Sequence, residues 1–165
     1  LFHPYLNGER SPYWDPDLRA SFVGLGFGHD ARHMCRAVYE GIAFTLRDCL
    51  SVLDDRGMGF ATARLVGGGT RSALWRQIIA DVTGLTIEIP AEGDASYGAA
   101  LIAGICAGIF ADHADAARVI RIAETLQPDP AVADIYASGF ARFRAAKEAL
   151  TPVNHQIVRA VREGK

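Results

Sequence analysis

Ala63-Arg64-Leu65-Val66-Gly67-Gly68-Gly69-Thr70-Arg71-Ser72, followed by the amphipathic run from Ala73 to Thr83, reads as a short apolar strand turned by three glycines into a helix. Glycine has no Cβ, so consecutive glycines let the backbone take positive φ and come close to a ligand. The helix that follows aims unpaired N–H groups and a positive dipole end at the turn, an arrangement suited to a nucleotide phosphate. It is not a Walker loop, because GxxxxGK[ST] needs a lysine after its last glycine and Thr70 and Arg71 stand there instead. The plain alternative for the same residues is a tight turn with Ser72 as helix N-cap.

Working outward, Gly84 closes the helix and Thr86 to Ile89 forms a second strand, so strand, helix, strand implies parallel neighbours and an α/β fold. Pro90 and the loop Ala91-Glu92-Gly93-Asp94-Ala95 lead into a small-residue helix near Tyr97 to Ile109, a second crossover element expected to be packed in the core. Upstream, Met34, Ala37, Val38, Gly41, Ile42, Thr45, Leu46, Cys49, Leu50 and Leu53 recur at three and four, which predicts a long helix from Asp30 closed by Gly57. Phe22 to Leu25 is expected as a short strand. Residues 1 to 20 carry loop chemistry in Pro4, Gly8, Pro12 and Pro16. Residues 112 to 126 are expected as another helix. A last helical stretch carries Ile135, Tyr136, Phe140, Phe143 and Leu150, with Pro152 ending or kinking it and a tail from Asn154 free to fray. One domain over residues 1–152 with a tail over 153–165 is the economical division.

The 165 residues, 50% hydrophobic and 22% charged, can bury an ordinary core and exclude disorder. A formal charge of −2 with singly scattered cations excludes a nucleic-acid footprint. The longest apolar stretch, Tyr97 to Ala111, is shorter than the roughly 20 residues that a bilayer requires. Of the three cysteines, Cys35 and Cys49 fall on one helix, separated by roughly 21 Å at the rise of an α-helix, too far for a disulfide. With Cys106 they are expected as buried thiols in a reducing, cytoplasmic compartment.

His29 and His33 share a helix face, but no third ligand or HExxH glutamate accompanies them, so no metal site is assigned. Glu9 and Arg10 could meet a substrate or pair with one another in their loop. Arg71 could reach a phosphate or point to solvent. Asp94 and Glu92 precede a helix, where a carboxylate is favourable without any ligand. No GxSxG, Cys–His couple or acid–base carboxylate pair appears, so no catalytic residue is assigned. Phosphoryl transfer rests mainly on positioning and electrostatics, so a domain that grips nucleotide supplies half of a site whose base lies elsewhere.

Taken together, these motifs resemble the FGGY carbohydrate kinases, and among them the xylulokinase-like members. Pro4-Tyr5-Leu6-Asn7-Gly8-Glu9-Arg10-Ser11-Pro12 resembles the family's PYLxGERxP loop. Ala20 to Leu25, with His33-Met34 and Ala37-Val38-Tyr39-Glu40, is similar to its long C-terminal signature. Gly67 to Ser72 with Leu74-Trp75-Arg76-Gln77 and Ala80-Asp81 resembles GGGARSxxWRQxxAD, and Tyr97-Gly98-Ala99-Ala100 resembles its LGAA helix start.

The resemblance implies a partial actin-like, ribonuclease-H-like ATPase fold that closes on ATP, Mg2+ and a sugar. It places Gly68 and Gly69 at the nucleotide phosphates through their backbone, Gly67 in the same cofactor-binding turn, and Thr70 and Ser72 in the loop bordering the adenosine. Thr70 stands where many members carry alanine, and its hydroxyl could bond locally. Ser72 stands where glycerol-kinase relatives place asparagine. The sugar-binding domain and the catalytic aspartate of the family are expected to precede Leu1, so this chain alone is expected to be inactive. D-xylulose is the first choice of acceptor, with gluconate or another pentulose or polyol next. The rival is a non-catalytic actin-like module that binds nucleotide or a partner. A dinucleotide-binding dehydrogenase domain is disfavoured, since GxGxxG spacing is missing and Ile89-Pro90 stands where a ribose-binding acid belongs. The oligomeric state stays open, with the apolar long helix offering an interface for a homodimer.

Overall fold

Asp30 nucleates the first long helix, α1 (Ala31–Asp54), through a reciprocal cap. Its carboxylate accepts the Arg32 and His33 backbone N–H groups, and the His33 ring pairs back with the Asp30 N–H. Gly57, at φ 71°, takes the left-handed turn that follows. The computed structural model describes residues 1–164, which group into two units: Leu1–Gly59 with Asp81–Thr83 and the chain from Asp129, and Phe60–Ala80 with Gly84–Pro128.

In the first unit, β1 (Phe2–His3) pairs antiparallel with β2 (Ser21–Phe22), register Phe2 to Phe22. The expected strand is thus two residues long, ends at Phe22, and has a partner in the segment read as loop. Gly41 lets β1 lie on α1, since a Cβ there would sit 2.2 Å from the Phe2 carbonyl oxygen. Phe44 of α1 meets Phe143 at 5.4 Å between ring centroids, and His3 meets Phe143 at 4.6 Å. Tyr5, Leu18 and Phe143 are fully buried there, each contributing about 1.5–3 kcal/mol by area. Phe143 belongs to α5 (Ala133–Arg162), which does not end at Pro152. Asn154 and Val158 are buried beyond the proline, so packing holds the segment expected to fray as helix.

In the second unit, β3 (Thr62–Arg64) runs parallel to β4 (Thr86–Pro90), with Thr62 opposite Thr86. α2 (Ala73–Thr83) crosses between them and ends at Gly84, φ 72°, as expected. Its Ile78, Ile79 and Ala80 are buried, as are Ile87 and Ile89 of the central strand. The expected helix over 112–126 is confined to α4 (His113–Ala117); Ile122–Leu126 is instead β5, antiparallel to β4 with Leu126 opposite Ile87. Ala123, Glu124 and Leu126 favour a helix by propensity, and the edge of β4 overrides them. α3 (Ala95–Cys106) is apolar throughout, yet only Gly104 is buried, which corrects the expectation of a core helix. Among the described residues, no helix is long and apolar enough to cross a membrane.

Candidate functional site

Gly67 adopts φ 99° and ψ 177°, a backbone state open to glycine and strained for any other residue. Its N–H donates to the Gly93 carbonyl at 3.1 Å, which ties the turn to the loop before α3. Gly68–Arg71 then winds one 3₁₀ turn. The Thr70 N–H and hydroxyl both donate to the Gly67 carbonyl, at 3.1 and 2.7 Å, so the extra hydroxyl at this position does bond locally. Ser72 caps α2, its Oγ accepting the Trp75 N–H at 3.3 Å. The hexapeptide thus holds a helix cap at Ser72 and, before it, a glycine-led 3₁₀ turn.

The three glycines are glycine for different reasons. A Cβ at Gly69 would lie 1.8 Å from Cζ3 of Trp75, so an indole ring occupies the space that a side chain needs. At Gly68 a Cβ would meet nothing within 4 Å. Both residues are exposed, and their N–H groups donate to no acceptor among the described residues, as the opening donors of a helical turn do. Gly68 is thus the position where the backbone is bare, open and able to donate to an anion.

Sequence reasoning left three supports of this turn without a role. Trp75 covers Gly69, Gly93 accepts from Gly67, and Arg76 fixes the exit of the turn: its guanidinium donates to the Thr70 carbonyl at 3.0 Å and pairs with Glu124 of β5 at 2.9 Å. Placing Arg76 four residues beyond the Ser72 cap was the available signal for a side chain reaching back along the helix. Gly93 carried none, since its contact is made across the sheet end.

The other candidates resolve into local roles. Arg71 is exposed beside the turn. Asp94 caps α3 by accepting the Ser96 N–H at 2.7 Å, and hydrogen bonds from Ser96 hold its carboxyl below the usual range. Hydrogen bonds from Arg32 and His33 hold the Asp30 carboxyl far below it. The His29 and His33 rings stand edge-on at 5.4 Å, and among the described residues no group of three or more His, Cys, Asp or Glu is placed to hold a metal ion. The cysteines are not the buried thiols expected: Cys35 and Cys106 are exposed, and half-buried Cys49 donates to the Ser11 carbonyl at 3.2 Å. Cys35 lies on the first turns of α1, where residues 31–36 are all exposed.

The C-terminal domain of the FGGY family of carbohydrate kinases matches residues 1–107. The chain is 39% identical over 117 residues to a gluconokinase of Bacillus subtilis, covering 70% of this chain and 23% of that protein. It is also 39% identical over 108 residues to a xylulose kinase of Escherichia coli, covering 64% of this chain and 22% of that protein. Among solved structures, the gluconate kinase of Lactobacillus acidophilus superposes with a TM-score of 0.87 at 30% identity, over 95% of this chain and 32% of that one. A xylulose kinase of Brucella ovis gives 0.81 at 37% identity, over 92% and 32%. The chain thus spans about a quarter to a third of the length of these relatives. Its α/β architecture is that of the actin-like sugar kinases.

Proposed function

The chain belongs to the FGGY family of carbohydrate kinases, and from that premise we propose that it is the nucleotide-holding part of an ATP-dependent kinase acting on a sugar hydroxyl. The observation that carries this reading is Gly68: its N–H is exposed and unpaired, and space is open where a Cβ would stand. Gly67 to Gly69 would present backbone to the phosphates, with Thr70 and Ser72 bordering the adenosine. Thr70 and Ser72 already use their hydroxyls on Gly67 and on the helix cap, so their part in the site is the shape of the loop rather than a hydrogen bond to the base.

ATP supplies the γ-phosphoryl group, and Mg2+ neutralises charge on the phosphates. No metal-ligating cluster lies among the described residues, so this reading leaves Mg2+ to the nucleotide and to residues beyond this chain. The same holds for the base and for the choice of sugar. The relatives are named as a gluconokinase and a xylulose kinase, and D-xylulose is the first acceptor to test. The chain by itself is expected to turn over no ATP. The cytoplasm is the compartment this reading assigns. A homodimer through outward apolar positions of α1 such as Met34 and Leu46 is open to sedimentation analysis.

Calorimetric titration with ATP and Mg2+ tests the assignment, using Gly68→Val as control. Gly69→Val would be uninformative, since it strikes Trp75 whether or not a ligand binds. Saturable binding weakened at least tenfold in a folded Gly68→Val chain is the expected result, and no binding by a folded wild-type chain would remove the nucleotide from this turn.

A further inference from the structure

Arg76, near the start of α2, sends its side chain back to the glycine turn, and only 18% of that side chain is exposed. Resting on the nucleotide reading proposed above, we infer that Arg76 is a positioning residue for ATP, held in place by Glu124 of β5. By fixing the Thr70 carbonyl, its guanidinium sets the directions in which Gly68 and Gly69 present their N–H groups.

Three observations carry this. First, the guanidinium spans two acceptors. Its Nη1 donates to the Thr70 carbonyl at 3.0 Å, and its Nη2 meets the Glu124 carboxylate at 2.9 Å. Glu124 lies opposite Ile89 in the antiparallel β4–β5 pair, so the carboxylate stands on a strand that the sheet holds in register. A planar fork bound at both ends cannot turn without breaking one bond. A lysine ammonium is a point charge on a flexible stem and has no such fork.

Second, the bonds inside the turn close it on itself. The Thr70 N–H and hydroxyl go to the Gly67 carbonyl, and the Ser72 N–H goes to the Gly69 carbonyl at 3.2 Å. A single 3₁₀ turn has poor hydrogen-bond geometry, and glycines lose more freedom on ordering than any other residue. The Gly67 N–H anchors the entrance of the turn on the Gly93 carbonyl, and Arg76 anchors its exit on β5. A turn ordered before the ligand arrives leaves less freedom to be lost on binding.

Third, Arg76 is held there against a penalty. Its Nε is buried and has no hydrogen-bond partner among the described residues. A buried donor without an acceptor is unfavourable, and a methionine of similar reach would fill the same space without one. Packing alone therefore does not account for a guanidinium here; the two acceptors at its other nitrogens do. Glu124 also offsets the cation's charge, so what Arg76 gives the turn is geometry rather than attraction for phosphate.

Two readouts on the intact chain keep this inference apart from the nucleotide reading beneath it. Amide hydrogen exchange of Thr70 without nucleotide reports the turn, and calorimetric titration with ATP and Mg2+ reports the ligand. In folded Arg76→Met and Glu124→Gln, Thr70 should exchange about fivefold faster or more, and ATP should bind about tenfold more weakly. Arg76→Lys, which keeps the charge and loses the fork, should fall with them. Arg64→Met, which removes the Arg64–Glu88 pair of the same sheet at 2.9 Å, should leave both readouts unchanged. Glu124→Gln keeps the test open if Arg76→Met does not fold. Wild-type affinity in Arg76→Lys, or unchanged exchange and affinity in folded Arg76→Met or Glu124→Gln, would overturn this inference alone. No ATP binding by the folded wild-type chain would remove the nucleotide reading and this inference together.

Discussion

Gly68 and Gly69 are neighbours with opposite sensitivities. Replacing Gly69 by alanine drives a Cβ into the Trp75 ring, and overpacking of this kind costs about 1–3 kcal/mol. Gly68→Ala meets open space and should change stability by less than about 0.5 kcal/mol. Urea unfolding of the two variants measures the difference; equal effects would refute the packing of Trp75 on Gly69. In the sequence the three glycines are indistinguishable, because what separates them is the position of an indole six residues downstream of Gly69. Ser72 was legible as a cap, since that interaction spans only three residues.

At the scale of elements, α5 carries a proline in its interior that α1 and α2 do not. Pro152 removes the backbone donor that would meet the Glu148 carbonyl, and the adjacent Thr151 hydroxyl donates one carbonyl earlier, to Lys147 at 2.8 Å. Pro152→Ala restores the donor and should stabilise the chain by about 1–3 kcal/mol in urea unfolding. A destabilised variant would mean that the proline shapes the packing of Asn154 and Val158. The helices α1 and α2 were legible because periodicity and caps agree along them. β5 was not: a segment in which Ala123, Glu124 and Leu126 favour helix becomes a strand only when β4 offers an edge.

For the whole molecule, acid should unfold the chain in two stages. Burial lowers the His3 imidazole below its ordinary 6.5, although the ring also pairs with the Phe143 carbonyl at 2.9 Å. The unfolded chain then takes up this proton more readily, so the contribution of neutral His3 is present above about pH 6.5 and is lost as pH falls through its folded value. At Asp15, burial alone would raise the carboxyl, but His155 together with the Asp17 and Leu18 backbone N–H groups outweighs it and the group is held below 3.8; its contribution is lost only as pH falls below that. Urea midpoints at about pH 7.5, 5.5 and 3.5 should fall at each step, and His3→Gln should flatten the first. A midpoint that stays level between about pH 7.5 and 5.5 would show that His3 is not held neutral. By itself the sequence determined the α/β class, the parallel strand–helix–strand unit, the start of α1 near Asp30, the cap of α2 and the family, because these rest on short-range patterns and on residues that act within a few positions of one another. Only the tertiary structure decided that Trp75 claims Gly69, that Arg76 and Gly93 brace the turn and that β5 pairs with β4, because each depends on contacts between residues whose proximity the folded chain alone creates.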